Sequence, residues 1–279
     1  MGDHASDDTF DVKVLRQDGP GKPSYWQRFR LDRVPELNVI SVLQMIAAKG
    51  EAADGRSAAP VAWESNCLEV VCGACTMLVY GRTRQAFSTL VDKLLGDSER
   101  EIVLEPMSKF PVIRDLVVNR ERLFRSLTKV HGWIDVDGYH DAGPGPRQSQ
   151  HDQQTAYPLS QCMSCGCCME ACPQYLNLEI PQASGESDED YQARKDAAHD
   201  GAFMGPAAIS QAILFNTHPT GTMNAEVRLD ALTAEGGIQV CGNAQNCVAV
   251  CPKEIPLTTS IAKAGRAATL YSLKQWFGG

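Results

Sequence analysis

The sequence predicts an α+β protein with a strand-rich N-terminal part and a helical C-terminal part. Residues 9–16 alternate apolar and polar side chains with the period of a β-strand. Several segments after residue 200 repeat apolar side chains at helical spacing, and eleven cysteines fall into three separate groups. The length of 279 residues is enough for two ordinary domains that each bury a core.

The N-terminal part is expected to be a small sheet packed on one helix. Strands are predicted at residues 9–16, 25–31, 76–81 and 102–107. Asn38 is a favourable N-cap for a helix that Gly50 ends, and a second helix at 115–130 is expected to close this part. Strands around one amphipathic helix, with cysteines in a loop, match the β-grasp layout of plant-type ferredoxins. We therefore expect a β-grasp domain over residues 1–137.

The C-terminal part is expected to be an all-α domain over residues 154–279. A Gly-, Pro- and Gln-rich segment at 138–153 is the predicted linker. Helices are predicted at residues 205–216, 224–237 and 256–277. The acidic run at 186–200 is predicted to be a solvated insertion, with a docking patch as the alternative.

Composition excludes several classes of function. Hydrophobic residues make up 43% and charged residues 22%, as in globular proteins. The net charge of −8 and the absence of a basic block in the sequence argue against a nucleic-acid partner. We expect a soluble chain, because no stretch reaches the roughly 18 apolar residues of a membrane span and the acidic N-terminus is no secretory signal. Paired cysteines without such a signal favour metal ligation in a reducing compartment over disulfides.

Two cysteine runs in the C-terminal part have the spacing of ferredoxin motifs. The first, CMSCGCCMEACP, reads C-x2-C-x2-C-x3-C-P, and the second, CGNAQNCVAVCP, has the same frame with Ala244 in place of its second cysteine. In two-cluster ferredoxins the fourth cysteine of each run ligates the other cluster. This predicts a complete set of ligands for a 4Fe–4S cluster, consisting of Cys162, Cys165, Cys168 and Cys251. The remaining set of three predicts a 3Fe–4S cluster on Cys172, Cys241 and Cys247. Cys167 falls outside both frames and is expected to be a small buried residue.

The first cysteine group has the C-x4-C-x2-C spacing of plant-type 2Fe–2S sites, formed by Cys67, Cys72 and Cys75. Gly73 allows the loop to fold tightly. A fourth ligand is needed, but the next cysteine along the chain already belongs to the second group. Three buried cysteines without metal, or a zinc site, remain as alternatives.

With these motifs the chain resembles the iron–sulfur subunits of succinate dehydrogenase and fumarate reductase, most closely the menaquinone-linked, Bacillus-type branch. The resemblance is carried by the three cysteine groups and by segments such as FMGPAAISQAILFNTHPTG. It implies a subunit of a succinate:quinone oxidoreductase at the cytoplasmic face of the membrane. Electrons would pass from an FAD-bearing flavoprotein subunit through the three clusters to menaquinone in a cytochrome b anchor that also holds haem. The chain itself shows no dinucleotide fingerprint and no acid–base constellation, so no catalytic residue is predicted.

One departure from the family concerns the 2Fe–2S site. The family's fourth ligand is a cysteine, and its position here holds Phe87, which cannot ligate iron. Ser88 is the candidate replacement through its oxygen, and Asp92 or a backbone shift are the weaker options. An oxygen ligand is expected to lower the potential of the iron that it binds.

A second departure concerns the quinone pocket. Ubiquinone-linked relatives carry a Trp and a His where this chain has Asn177 and Gly242. The change agrees with a menaquinone-linked protein. Residues expected near the quinone are Pro173 and Lys253, followed by Lys263 and Arg266.

Two other classes of protein compete with this interpretation. One is the iron–sulfur subunit of another flavin dehydrogenase, which usually carries two complete four-cysteine runs, so that Ala244 argues against it. The other is a zinc-stabilised structural module. The sequence leaves the physiological direction open, since succinate oxidation and fumarate reduction use the same chain of clusters.

Overall fold

The computed structural model describes residues 9–95, 100–135 and 146–278, which form two compact units. The units divide between Asn119 and Arg120. The predicted linker at 138–153 lies partly outside the described residues, and its last residues, 150–153, begin a helix capped by the Ser149 side chain. The assignment of 138–153 as a linker stays a prediction.

The first unit is built on a five-stranded mixed sheet with the strand order β2-β1-β5-β3-β4. Its elements are β1 (Thr9–Arg16), β2 (Tyr25–Asp32), α1 (Val39–Lys49), β3 (Thr76–Val79), β4 (Arg82–Gln85), α2 (Val91–Leu94), β5 (Glu101–Glu105), β6 (Val112–Arg114) and β7 (Val117–Val118). β1 pairs antiparallel with β2 and parallel with β5. The four predicted strands and the first hairpin are thus confirmed, whereas β4 was not predicted.

The core of this unit lies between the sheet and α1. Phe10, Val12 and Val14 alternate along β1 and are almost fully buried, as the period of two requires. Asn38 caps α1 as predicted, because its side chain accepts a hydrogen bond from the Ser41 N–H at 2.9 Å. Gly50 ends the helix in the left-handed conformation, with φ of 62°. The first cysteine loop leads directly into β3, which lies between β5 and β4 in this sheet.

The predicted helix at 115–130 is shorter in the structure and belongs to the second unit. It begins at Glu121. Asp115, which still belongs to the first unit, has φ of 47°, outside the helical region, and pairs with Arg16 of the same unit. The Asp115 carboxylate accepts hydrogen bonds from Arg16 Nε at 3.0 Å and Nη2 at 2.9 Å. Both side chains are buried, so this ion pair holds the end of β1 to the segment before β7.

The second unit is a helical assembly around α7. Its helices are α3 (Glu121–Lys129), α4 (Gln150–Ser160), α5 (Cys167–Glu170), α6 (Asp188–Gly201), α7 (Gly205–Thr217), α8 (Ala225–Thr233), α9 (Asn246–Ala249) and α10 (Leu257–Phe277). α7 packs against α3, α4, α5, α8 and α10, and most of its residues are buried. The three helices predicted in this part are confirmed.

The acidic run predicted as a solvated insertion forms helix α6, which Ser187 caps. Most of the helix is exposed, as expected for so many charges. One face is nevertheless attached to the unit: Arg125 pairs with Asp196 at 2.9 Å and Asp200 at 2.6 Å, and His199 is buried. None of the helices in the described residues combines the length and apolar character that crossing a membrane requires.

Candidate metal centres

The first cysteine loop turns its backbone N–H groups toward sulfur. Leu68, Val70 and Gly73 have positive φ values of 53°, 58° and 70°, which point successive peptide groups toward one side of the loop. The N–H of Val71 and the N–H of Cys72 each lie 3.3 Å from Cys67 Sγ. This is the arrangement expected around a centre of negative charge.

These hydrogen bonds favour the thiolate of Cys67. The N–H groups of Val71 and Cys72 lower the pKa of the Cys67 thiol to about 6. The Ala74 N–H donates to Cys72 Sγ at 3.4 Å. Because the thiolate is the form that binds metal, the lowered pKa makes Cys67 a favourable ligand.

Cys75, the third cysteine, lies deeper, against the end of strand β4. Burial raises the pKa of its thiol, and the N–H groups of Phe87 and Ala86 oppose that rise. The Gln85 Oε1 atom accepts a hydrogen bond from Cys75 Sγ at 3.5 Å. Antiparallel pairing of Thr76 with Gln85 brings the chain after β4 beside this cysteine. The unpredicted strand β4 therefore delivers the segment 85–88 to the site.

Ser88, the candidate fourth ligand, lies in this segment and is exposed. Its hydroxyl donates to the Gln85 carbonyl at 3.4 Å, a weak contact that leaves the oxygen available. Phe87 packs instead against the core of the first unit. Asp92 is engaged elsewhere, since its carboxylate accepts hydrogen bonds from Arg33 at 3.2 Å and from the Glu36 N–H at 3.0 Å. The role of Ser88 as a ligand stays a prediction.

In the second unit, one small cavity is lined by cysteines of both ferredoxin runs. Five cysteines line it: Cys167 and the four predicted 4Fe–4S ligands, Cys162, Cys165, Cys168 and Cys251. Ser164 and Gly166, with φ of 51° and 88°, turn the first run so that its cysteines face this cavity. Met163, Ala207, Ser210 and Leu257 are among the other residues of the wall. Residues far apart in sequence thus meet at one place.

The thiols of this cavity lie close enough to raise one another's pKa values. Burial raises the pKa of Cys168 well above its usual value, and the charges of Cys162 and Cys251 raise it further. The pKa of Cys165 is also well above its usual value, mainly through a hydrogen bond with Cys167 and through burial. Four neighbouring thiols cannot ionise together unless a cation offsets their charges. The donor set therefore suits a metal cluster.

The three cysteines left over also lie together. Burial raises the pKa of the Cys247 thiol, and nearby Cys172 and Cys241 contribute to the rise. The Asn246 side chain donates to the Ala171 carbonyl at 3.1 Å, which ties the second run to the first. Ala244, in the same run, is exposed and offers a methyl group where a fourth thiol would be needed.

Residues predicted near the quinone are distributed over this unit. Lys253 lines the cysteine cavity, and Pro173 is exposed beside Cys172. Lys263 donates to the Thr155 hydroxyl at 3.1 Å, and Arg266 is exposed on α10. Cys167 is buried as predicted. No three Cys, His, Asp or Glu side chains in the described part of the chain are arranged to hold a single metal ion.

Sequence reasoning missed several residues around these sites. Gln85 contacts Cys75, the Cys172 thiol donates to Gln174 at 3.8 Å, and Ser210 lines the cavity. No spacing or motif in a single sequence distinguishes these side chains from others of their type. Each acquires its place through strand pairing or helix packing.

Comparison with known proteins finds one iron–sulfur family model over each cysteine-bearing part of the chain. Residues 11–125 match the family model described as a 2Fe-2S iron-sulfur cluster binding domain, and residues 158–255 match the one described as a 4Fe-4S dicluster domain. The fold and the cysteine sites therefore define an iron–sulfur electron-transfer protein.

Individual relatives narrow this class. The chain is 46% identical to the succinate dehydrogenase iron-sulfur subunit of Bacillus subtilis, over 95% of this chain and 94% of that one. It is 25% identical to the fumarate reductase iron-sulfur subunit of Wolinella succinogenes, over 90% and 93%. A solved structure of the Mycobacterium smegmatis Sdh1 complex contains a chain with the same fold, at a TM-score of 0.68 and 21% identity, covering 94% of this chain and 95% of that chain.

The chain belongs to the family of succinate dehydrogenase and fumarate reductase iron–sulfur subunits, which transfer electrons through 2Fe–2S, 4Fe–4S and 3Fe–4S clusters. Membership makes it part of a complex with a flavoprotein and a membrane anchor. The predicted family, fold class and cofactors are confirmed. The alternatives of a zinc module and of another flavin dehydrogenase have no support in these matches.

Proposed function

We propose that this chain carries electrons between an FAD-bearing flavoprotein and menaquinone held in a cytochrome b anchor. The observation that carries the proposal is the cavity in which Cys251 of the second run joins Cys162, Cys165 and Cys168 of the first. Crosswise sharing of cysteines is the ligand pattern of two-cluster ferredoxins. It supports a pair of closely spaced clusters through which electrons can pass.

The proposed ligands are the thiolates of the two runs. Cys162, Cys165, Cys168 and Cys251 hold the 4Fe–4S cluster, and the three remaining cysteines hold the 3Fe–4S cluster. When bound, each cluster supplies a one-electron carrier. The protein contributes charge, through the thiolates, and exclusion of water, because Cys165, Cys168, Cys172 and Cys247 are buried.

In the first unit, Cys67, Cys72 and Cys75 with Ser88 are the proposed ligands of the 2Fe–2S cluster. Support comes from the N–H groups that surround Cys67 and from the position of the 85–88 segment beside Cys75. Ser88 is the exposed hydroxyl of that segment.

Menaquinone is proposed as the electron acceptor because this chain lacks the Trp and His of ubiquinone-linked relatives. A purified complex should reduce a menaquinone analogue faster than a ubiquinone analogue, and the opposite preference would contradict this part of the proposal.

We propose that the chain lies at the cytoplasmic face of the membrane, attached through the anchor subunit. Clustered cysteines suit a reducing compartment. Protease added to sealed vesicles should digest the chain only when the cytoplasmic face points outward. Digestion in vesicles of the opposite orientation would overturn the placement.

The cluster assignment is tested by electron paramagnetic resonance (EPR) of the purified complex. We expect a 3Fe–4S signal in the oxidised state, because the position of Ala244 provides no thiolate. Ala244→Cys supplies the missing ligand and should replace that signal with the signal of a second reduced 4Fe–4S cluster. Wild-type protein without an oxidised 3Fe–4S signal would refute the assignment.

A further inference from the structure

The wall of the cysteine cavity contains one hydroxyl group that the ligand assignment does not use. Ser210 lies on helix α7, one turn after Ala207, and both residues line the cavity. Residues three apart share one face of a helix. Helix α7 therefore presents Ala207 and Ser210 to the cavity from one face, and it contributes no cysteine to the wall.

The Ser210 hydroxyl is buried and has no hydrogen-bond partner among the residues that the structure describes. The side chain is 1% exposed. Other hydroxyls on helices of this unit bond to a carbonyl of the preceding turn, as Ser126 does to Arg122 at 3.0 Å and Ser260 does to Leu257 at 2.9 Å. A buried hydroxyl without a partner is costly, so a hydrogen-bond acceptor is expected within the cavity that Ser210 lines.

We propose that the Ser210 hydroxyl donates a hydrogen bond to a sulfur atom of the 4Fe–4S cluster and thereby raises its reduction potential. The inference rests on the proposed function, which assigns that cluster to this cavity. Ser210 supplies one O–H donor, and five cysteines line the cavity, of which the four proposed ligands offer sulfur acceptors on ligation. Ser210 tunes the cluster and is not itself a ligand.

The direction of the effect follows from charge. Reduction adds one electron, so the cluster becomes more negative by one unit. A hydrogen bond to a more negative acceptor is stronger, so the donor stabilises the reduced state more than the oxidised state. Hydrogen bonds to cluster sulfurs are among the factors that set iron–sulfur potentials.

The test is a redox titration of the intact complex followed by EPR, comparing wild type with Ser210→Ala. We expect the equilibrium to shift about tenfold toward the oxidised cluster, which lowers the midpoint by about 59 mV for one electron. Ser260→Ala is the matched control, because it removes an equally buried hydroxyl whose partner is a backbone carbonyl. Its midpoint should equal that of the wild type.

Three outcomes discriminate the proposal. An unchanged midpoint in Ser210→Ala overturns it, even if less cluster is bound, since a purely structural role alters the amount of cluster and not its potential. Ser210→Thr keeps the hydroxyl, and a midpoint nearer to the wild-type value supports the hydrogen bond. A wild-type complex without any 4Fe–4S signal would instead overturn the ligand assignment, so the two failures are distinguishable.

Discussion

Among single residues, Ser88 is the most important one to test, because the 2Fe–2S site has only three cysteines and Ser88 is its proposed fourth ligand. Ser88→Ala removes the proposed oxygen ligand and should abolish or strongly broaden the 2Fe–2S EPR signal of the reduced complex. Phe87→Cys restores a thiolate at the family's position. Since sulfur is a softer ligand than oxygen, this variant should raise the midpoint potential of the cluster.

Thr89 offers the matched control for Ser88. Its hydroxyl also donates to the Gln85 carbonyl, at 2.8 Å, but it is buried. Thr89→Val should leave the spectrum in place. If Ser88→Ala retains the wild-type signal and midpoint, Ser88 is not a ligand.

The cysteine groupings could be predicted from the sequence, because a ligand loop is a local structure that depends on the spacing of a few residues. The spacing predicted which thiols would share a site, and the described cavity contains the predicted four. The positions of Gln85 and Ser210 beside cysteines could not be predicted from the sequence, because they depend on strand pairing and on the packing of α7. Nothing in the sequence around a single Gln or Ser shows that it lies beside a metal site.

At the scale of elements, Arg122 connects α3 to the chain after Cys172. Its guanidinium donates to the Leu176 carbonyl at 2.6 Å and the Phe203 carbonyl at 2.9 Å, and lies 3.9 Å from the centre of the Tyr175 ring. Arg122→Ala leaves two carbonyls without these donors. We expect a loss of about 3 kcal/mol in the free energy of unfolding, measured by guanidinium denaturation.

Arg125, on the same helix, is the matched control. It pairs with Asp196 and Asp200 at the partly exposed surface of α6, where ion pairs contribute at most about 1 kcal/mol. Arg125→Ala should therefore cost much less than Arg122→Ala. Equal losses in the free energy of unfolding would show that the buried Arg122 contacts stabilise the protein no more than the surface ion pairs of Arg125 do.

The buried pair of Arg16 and Asp115 predicts a second effect on stability. Asp115→Ala leaves the Arg16 charge unpaired, and a loss of about 3–5 kcal/mol is expected. The double variant with Arg16→Met should lose less than the sum of the two single changes, because it leaves no charge behind. Additive losses in denaturation experiments would contradict the coupling.

The same pair gives a pH dependence of known sign. Burial raises the pKa of Asp115, but the hydrogen bonds from Arg16 and the Ala62 N–H outweigh it, so the pKa lies below its ordinary value. A lowered folded-state pKa stabilises the protein above the unfolded-state value, about 4, and the gain is lost as the pH falls through the folded-state pKa. Below pH 4 the wild type should lose more stability than Asp115→Asn; parallel curves would contradict this.

Several of the longer elements followed from periodicity, but helices α4 and α6 and the short strand β4 did not. β1, α1, α7 and α10 carry clear apolar patterns, and α1 also has strong end signals in Asn38 and Gly50. β4 has only four residues, RTRQ, with no apolar alternation, and exists through its pairing with β3. The start of α3 was misplaced because the ion pair of Asp115 overrides the local helical pattern.

At the scale of the whole molecule, the crosswise assignment of cysteines predicts which cluster each run controls. Cys251→Ala should remove the 4Fe–4S signal and leave the oxidised 3Fe–4S signal, although Cys251 belongs to the second run. Cys172→Ala should do the reverse. If each run held its own cluster, the two effects would be exchanged, and quantitative EPR of the purified complexes distinguishes the cases.

The two-part architecture was predictable because strand-like and helix-like patterns occupy different halves of the sequence. The linker at 138–153 stays a prediction from composition. The described residues divide into two compact units after Asn119. Composition reports where a chain lacks apolar side chains, and packing decides with which neighbours a helix such as α3 is grouped.

The shared cavity has a consequence for biosynthesis. Its walls come from Cys162–Cys168, from α7 and from Cys251, so the ribosome must complete a long stretch of chain after the first run before the cavity exists. An assembly factor that met the nascent first run would find only three of the four proposed 4Fe–4S ligands and no enclosed cavity. Under the proposed ligand assignment, we expect the cluster to be loaded only after the second run has been made and α7 has packed, so that metal insertion follows the folding of the helical unit.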